Sequence, residues 1–180
     1  MPPAEYAFAP LRVEDLSLAE RWLREPHVRR WWDEGEAGYP AGTLAEYRRA
    51  IDGQDPTRMF VVAIDRRPAG LIQSYLVGDH PEYAAALALE WPAVGVDLFI
   101  GEPGLLGLGH GPTLLRRFLR DVVFAEYDVE RCVIGPSLDN IPAIRAYEKA
   151  GFRHFRDAQV PGEPTAEHLM IMTRGEALAG

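Results

Sequence analysis

The sequence predicts one α+β domain on a mixed sheet, spanning residues 1–180, and three observations carry that expectation. Short β-branched and aromatic runs, among them Val94-Gly95-Val96-Asp97-Leu98-Phe99-Ile100, alternate with stretches whose apolar residues recur at helical spacing. Strands arrive as a hairpin in the first half and as an antiparallel pair at the end, with helices between them. No repeat, linker or low-complexity segment interrupts 180 residues, a length sufficient for one substantial core.

Taken in order, Tyr6 to Val13 reads as an opening strand. Glu14 or Asp15 then caps a helix with Leu16, Leu18, Ala19, Trp22 and Leu23 on its apolar side, and Pro26 ends or kinks it. His27 to Trp32 follows, with Trp31 and Trp32 adjacent near a helix end, so that they cannot both point one way. A glycine- and proline-containing loop runs from Gly35 to Gly42, and a second amphipathic helix starts at Thr43 with Leu44, Tyr47 and Ile51. Met59 to Ile64 is a strand, Asp65 to Pro68 a turn, and Ala69 to Val77 the hairpin partner. Gly78 to Pro92 reads as loop, followed by the strand from Val94. Leu114, Leu115, Phe118, Leu119, Val122 and Val123 then form the apolar face of a long helix. Glu130 to Gly135 is a strand and Asn140 opens a helix that stops at the C-cap glycine Gly151. Phe152 to Val160 and Leu169 to Thr173 close the sheet.

Bulk properties exclude several classes. The net charge of −8 argues against nucleic acid as a partner, because phosphate binding needs a basic surface. The same charge suits a small cationic substrate. No apolar stretch approaches the roughly twenty residues that span a bilayer, and no secretory signal opens the chain, so a cytoplasmic location and no membrane partner are expected. Cys132 is the single cysteine, which excludes an intrachain disulfide and a cysteine metal site. No metal is called for, and nothing in the sequence bears on oligomeric state.

Between the Val94 strand and the long helix lies Leu105-Leu106-Gly107-Leu108-Gly109-His110-Gly111-Pro112-Thr113. A glycine-spaced turn that opens a helix presents backbone N–H groups and admits close approach, which makes an anion site with phosphate as the anion. Pro112 donates no N–H, and its fixed φ suits a first helical turn. Neither familiar phosphate loop fits: no Gly-Lys-Ser/Thr follows, and the dinucleotide fingerprint requires an early βαβ unit. A second block follows downstream, Asn140-Ile141-Pro142-Ala143-Ile144-Arg145-Ala146-Tyr147-Glu148-Lys149-Ala150-Gly151-Phe152.

Together, in this order and at this separation, the two blocks resemble the Gcn5-related N-acetyltransferase (GNAT) superfamily. Over about Leu11 to Arg174 the chain is similar to the aminoglycoside 6′-N-acetyltransferases. The matching pieces are Trp31-Trp32, Gln73-Ser74-Tyr75, Gly95-Val96-Asp97, the glycine loop and the Ala143 to Phe152 run. The resemblance implies the GNAT fold, a largely antiparallel mixed sheet with splayed central strands flanked by helices, and acetyl-CoA as acetyl donor. It implies that Leu106, Gly107, Leu108, Gly109, His110, Gly111 and Thr113 hold the cofactor with Leu98, Phe99, Asn140 and Tyr147. A main-chain N–H near Leu98 or Phe99 would polarise the thioester. Leu106 stands where most of the superfamily has Arg or Gln.

Acetyl transfer to an amine also needs the amine made neutral and the leaving thiolate protonated. The resemblance assigns Asp97 as general base and substrate anchor. Composition alone favours a solvent-facing strand residue, and it is the resemblance that reverses this; a carboxylate beside an ammonium also holds it charged as well as accepting its proton. Tyr147 is the candidate acid for the thiolate, a phenol of pKa about 10. Asn140 is a candidate cofactor ligand and a good N-cap at once. For the substrate, Trp32 is the residue to stack on a sugar, with Tyr75, Glu82, Glu90 and Asp97 lining the same side. One departure stands out: similar resistance enzymes often carry an aspartate before the proline of Pro136-Ser137, and here it is Gly135, which predicts weaker hold on an aminoglycoside.

The expected activity is acetyl-CoA-dependent N-acetylation of an aminoglycoside amine, at the 6′ position, by direct transfer. The alternatives are siderophore-type N-acylation of a hydroxylysine, supported by Leu98-Phe99-Ile100-Gly101-Glu102-Pro103, acetylation of a protein N-terminus or a polyamine, and a non-catalytic acyl-CoA sensor. Asp97 argues against the siderophore group, which typically has histidine there. Asp97 and Tyr147 together favour an enzyme over a sensor, which needs only the glycine turn.

Overall fold

The computed structural model describes residues 3–33, 35 and 37–179. Seven strands form one sheet in the order β1-β2-β3-β4-β5-β7-β6. They are β1 Tyr6–Pro10, β2 Arg58–Ile64, β3 Arg67–Leu76, β4 Val94–Ile100, β5 Arg131–Ile134, β6 Arg153–Ala158 and β7 Glu167–Thr173. β1 pairs antiparallel with β2, β5 and β6 pair antiparallel with β7, and β4 pairs parallel with β5. The sheet is therefore mixed and largely antiparallel, as expected. The parallel ladder joins only Val94 to Cys132 and Gly95 to Val133. Asp97 lies two residues past its end, in the manner of the expected splay.

The chain packs as two compact units, one comprising the stretch up to Gln73 with Leu98–Leu108, the other Ser74–Asp97 with Gly109 onward. In the first unit, helices α1 Leu16–Leu23, α2 Pro26–Trp32 and α3 Ala41–Ile51 cover a core of Leu11, Trp22, Leu23, Val28, Met59, Leu71 and Phe99. Pro26 occupies the first turn of α2, where its missing N–H costs nothing, so it starts a helix rather than kinking one. α3 begins at Ala41, two residues before Thr43. Glu36, inside the expected loop from Gly35 to Gly42, lies outside the described residues. Asp65 and Arg66, both at positive φ, make the β2–β3 turn in two residues, so Arg67 and Pro68 belong to the strand. Gly70 approaches the backbone of Phe99 so closely that a Cβ would overlap it. Trp22 is fully buried, donates its indole N–H to Glu102 at 2.8 Å, and Arg21 pairs with the same carboxylate.

In the second unit the segment 78–92, expected as loop, contains helix α4, Pro81–Leu87. Its glutamate and alanines carry too little periodic apolar signal to reveal it. Helix α5 His110–Phe118 passes through a π-helical turn, Leu119–Val123, into α6 Phe124–Glu126. All six predicted apolar-face residues, Leu114 to Val123, are buried. α7 Ile141–Ala150 is capped by the Asn140 side chain, which accepts from the Ala143 N–H at 3.2 Å, and ends at Gly151 with φ +106°. A Cβ at Gly111 would meet Ala146 of α7 at 3.9 Å, an ordinary contact distance, so packing of α5 on α7 does not require glycine there. A last helix not foreseen, α8 Arg174–Leu178, is closed by a capping box between Thr173 and Glu176.

Trp22→Phe keeps an aromatic ring in the core but leaves the Glu102 carboxylate without its indole donor. The expected cost is about 1.5–3 kcal/mol, the range for a hydrogen bond to a charged group, read from the midpoint of denaturant unfolding.

Candidate active site

The site is built on β4. Side chains alternate along a strand, so Gly95 and Asp97 share a face. The ring of Tyr75, from β3, lies so close over Gly95 that a Cβ there would overlap it. Glycine at 95 is thus what lets the Tyr75 hydroxyl reach and hydrogen-bond the Asp97 carboxylate. The Tyr83 ring from α4 stands edge-on to Tyr75 at 6.1 Å, and the His80 ring does the same at 4.9 Å. Tyr83, in edge contact with Tyr75, in turn donates to Glu167 of β7 at 2.9 Å. Two carboxylates, Asp97 and Glu167, are therefore linked through two tyrosines.

The electrostatics follow from partial burial around one charge. Asp97 and Glu167 are half-buried. Burial, then the Asp97 charge, pushes the Glu167 carboxyl up to about 8. Burial followed by Asp97 also raises Tyr75 and Tyr147, and for Tyr83 the charge of Glu167 comes second and that of Asp97 third. Cys132 is buried in β5 and its thiol is likewise raised, which makes it an inert core residue as expected. The region is anionic and of low dielectric, the setting that draws a cation most strongly.

Tyr147 on α7 is half-buried and within reach of the Asp97 field. Its phenol stays protonated at neutral pH, available as a hydrogen-bond donor. Complete loss of its proton is disfavoured by burial and by Asp97, so the geometry suits stabilising a developing negative charge better than full proton transfer. Asn140, whose side-chain oxygen is engaged as the N-cap of α7, serves the helix.

At the glycine turn, Gly107 and Gly109 have φ of +73° and +83°, and no protein atom lies within 4 Å of where a Cβ would stand on either. Glycine is required there by backbone conformation, not by packing. Gly109 is the N-cap of α5 and no side chain caps that end. Leu106 and Leu108 are exposed. Leu98 is half-buried and Phe99 buried, the latter edge-on to Trp22 and Trp32.

Of the predicted residues, then, the structure gathers Tyr75, Asp97 and Tyr147. Glu82 and Glu90 are exposed, and it is Tyr83, next to Glu82, that enters the cluster. Trp32 packs half-buried at 5.0 Å from Phe99, against the first unit's core. Sequence reasoning missed Tyr83, His80 and Glu167. Tyr83 sits on the helix that was read as loop and His80 is its N-cap. For Glu167 the only signal was negative, at Gly135: a Cβ at 135 would collide with the Glu167 carboxylate. The carboxylate thus stands against the α-carbon of Gly135, the position at which the sequence departs from the pattern the resemblance implies. An apolar groove of about 270 Å³ beside α4, lined by Leu76, Val77, Leu89 and Trp91 among others, takes in none of the predicted site residues.

The Acetyltransferase (GNAT) domain family matches residues 12–160. The chain belongs to the GNAT acetyltransferase family. It is 28% identical over 162 residues to an aminoglycoside N(6′)-acetyltransferase type 1 of Klebsiella pneumoniae, covering 89% of this chain and 79% of that protein. It is 24% identical over 151 residues to an N(6)-hydroxylysine O-acetyltransferase of Escherichia coli, covering 83% of this chain and 46% of that protein. The fold is shared with the aminoglycoside acetyltransferase AAC(6′)-Ib solved with coenzyme A and kanamycin. The TM-score is 0.77 at 24% identity, covering 97% of this chain and 98% of that one. Among the described residues no helix of this GNAT chain is long and apolar enough to cross a membrane.

The raised Glu167 pKa has a stability consequence of definite sign. Between about pH 4.5 and 8 the folded chain keeps a proton that the unfolded chain has lost, so stability falls as pH rises through this window and levels off above it. Glu167→Gln cannot ionise. Its stability relative to wild type is expected to be nearly unchanged at about pH 5 and to increase steadily toward about pH 8, as followed by thermal unfolding across that range.

Proposed function

We propose that this protein is a cytoplasmic enzyme that transfers an acetyl group from acetyl-CoA to an amine of a polycationic aminosugar, the 6′-amine of an aminoglycoside being the preferred acceptor. The observation that carries the reading is the pair of half-buried carboxylates, Asp97 and Glu167, linked by Tyr75 and Tyr83. A monoamine needs one such anchor. An acceptor with several ammonium groups suits two.

Acetyl-CoA is the acetyl donor, supplying an activated thioester carbonyl. The glycine turn fits its pyrophosphate: Gly107 and Gly109 hold positive φ with open space at their α-carbons, and α5 begins immediately after. The N–H groups of Gly109, His110, Gly111 and Thr113 would receive the phosphates, with the helix dipole behind them. The exposed Leu106 and Leu108 would flank the donor, and the Leu98 N–H, next in the chain to Asp97, would polarise the carbonyl. Asp97 draws the acceptor ammonium and accepts its proton, directly or through water. The freed amine nitrogen bonds to the carbonyl carbon and the carbon–sulfur bond breaks; the Tyr147 hydroxyl hydrogen-bonds the departing sulfur, and the second proton, shed by the acylated nitrogen, passes to that sulfur through water, so that it leaves as the thiol. Acylation of a hydroxylysine is the second reading, favoured by the likeness to the Escherichia coli enzyme. A nearly neutral hydroxylamine, however, makes little use of two carboxylates.

A thiol-release assay with acetyl-CoA and a panel of amines tests this directly. Kanamycin-type sugars are expected to outperform hydroxylysine and simple polyamines, and an enzyme that turns over hydroxylysine alone would overturn the reading. Asp97→Asn then separates the roles: an anchor raises KM with kcat intact, whereas a base lowers kcat and moves the alkaline rise in rate toward the amine's own pKa. Loss is expected to be greater on polycationic sugars than on hydroxylysine. Tyr147→Phe is expected to lower kcat about 10²-fold with little change in acetyl-CoA affinity, as measured by pre-steady-state kinetics and calorimetry.

A further inference from the structure

The β6–β7 pair brings together three side chains that the acyl-transfer reading leaves unused. Asp157 stands directly opposite His168, and His154 opposite Met170. On a regular strand, residues 154 and 157 would face opposite sides of the sheet. The register slips by one residue between His154 and Arg156, and this bulge at Phe155 restores them to a common face with His168. Strand alternation meanwhile turns Glu167, on the same β7, the other way, toward Gly135 and Tyr83. The three residues therefore form a cluster separate from the one around Asp97.

The convergence is close. One oxygen of Asp157 accepts from His154 Nε2 at 3.0 Å and from His168 Nδ1 at 3.2 Å. The two imidazoles lie nearly parallel, 4.1 Å between centroids and 10° between planes. All three ligating atoms are within 4.8 Å of one another. His168 is the most buried, with 18% of its side chain exposed, while His154 and Asp157 are half open to solvent. Donor atoms about 2.0–2.2 Å from a tetrahedral zinc ion stand roughly 3.3 Å apart. The Asp157-to-histidine separations already match that spacing.

We propose that His154, Asp157 and His168 form a binding site for a divalent transition-metal cation of the zinc type, fastening the edge strand β6 to β7. Two imidazole nitrogens and one carboxylate oxygen favour borderline cations such as zinc, cobalt(II) or nickel(II) over magnesium or calcium, which prefer all-oxygen shells. On binding, the proton that each neutral imidazole directs at Asp157 shifts to its other ring nitrogen, which frees His154 Nε2 and His168 Nδ1 to ligate the cation. The fourth position is left to water. The hydrogen bond from His154 holds the Asp157 carboxyl below the usual carboxylate range, so the oxygen ligand is anionic.

The test uses full-length protein without a histidine tag, stripped with chelator. Zinc chloride titrated by calorimetry at neutral pH is expected to show one saturable site per chain, and cobalt(II) to give a visible d–d spectrum. Zinc, but not magnesium, is expected to raise the thermal midpoint. His154→Ala and Asp157→Ala change exposed side chains, and each is expected to weaken zinc binding tenfold or more and abolish the thermal shift while circular dichroism is unchanged. Absence of saturable zinc binding in the wild type overturns the proposal. So does binding that both variants retain at full strength, which would place the cation elsewhere.

Discussion

The half-buried charge of Asp97 is the constraint on which the rest of the site depends. A carboxylate removed from water must be hydrogen-bonded to persist, and here Tyr75 provides the bond because Gly95 leaves room for its ring. The same charge sets the state of its neighbours. It helps keep the Tyr147 and Tyr75 phenols protonated and it helps hold a proton on Glu167. The arrangement is a field prepared before any substrate arrives, and preorganised fields of this kind favour whatever carries the complementary charge.

The state of Glu167 makes that field adjustable. Near neutral pH its proton is held only because Asp97 and burial make a second negative charge expensive. Under the proposed function an approaching ammonium would reverse the balance, releasing the proton and leaving a second anionic anchor. An acceptor with two positive groups would thus meet two charges, and one with a single positive group would meet little more than one. Under the proposed function, a preference for polycations would arise from coupling between the two carboxylates as well as from their number.

Strand β7 contributes side chains to two separate clusters. Glu167 faces Gly135 and Tyr83 while His168, the next residue, faces Asp157 and His154. Period-two alternation does this without any additional structure. The bulge in β6 then supplies the third member of the histidine cluster by shifting His154 by one position.

Much of this was legible in the chain itself. Apolar spacing placed the long helix and its six buried residues, β-branched runs placed the strands, and the glycine turn with Asn140 to Phe152 pointed to the family, because each is a local pattern that backbone geometry enforces. Local reasoning failed where neighbours are distant in sequence. Helix α4 is too short and alanine-rich to announce itself, and with it Tyr83 and His80 were hidden. Glu167 lies 70 residues from Asp97, and its contact with Gly135 exists only in the folded chain. The amino-acid sequence determined which backbone conformations were available. Tertiary packing alone decided which charges share a low-dielectric space, because that energy depends on distance and burial, and neither is written in the order of residues.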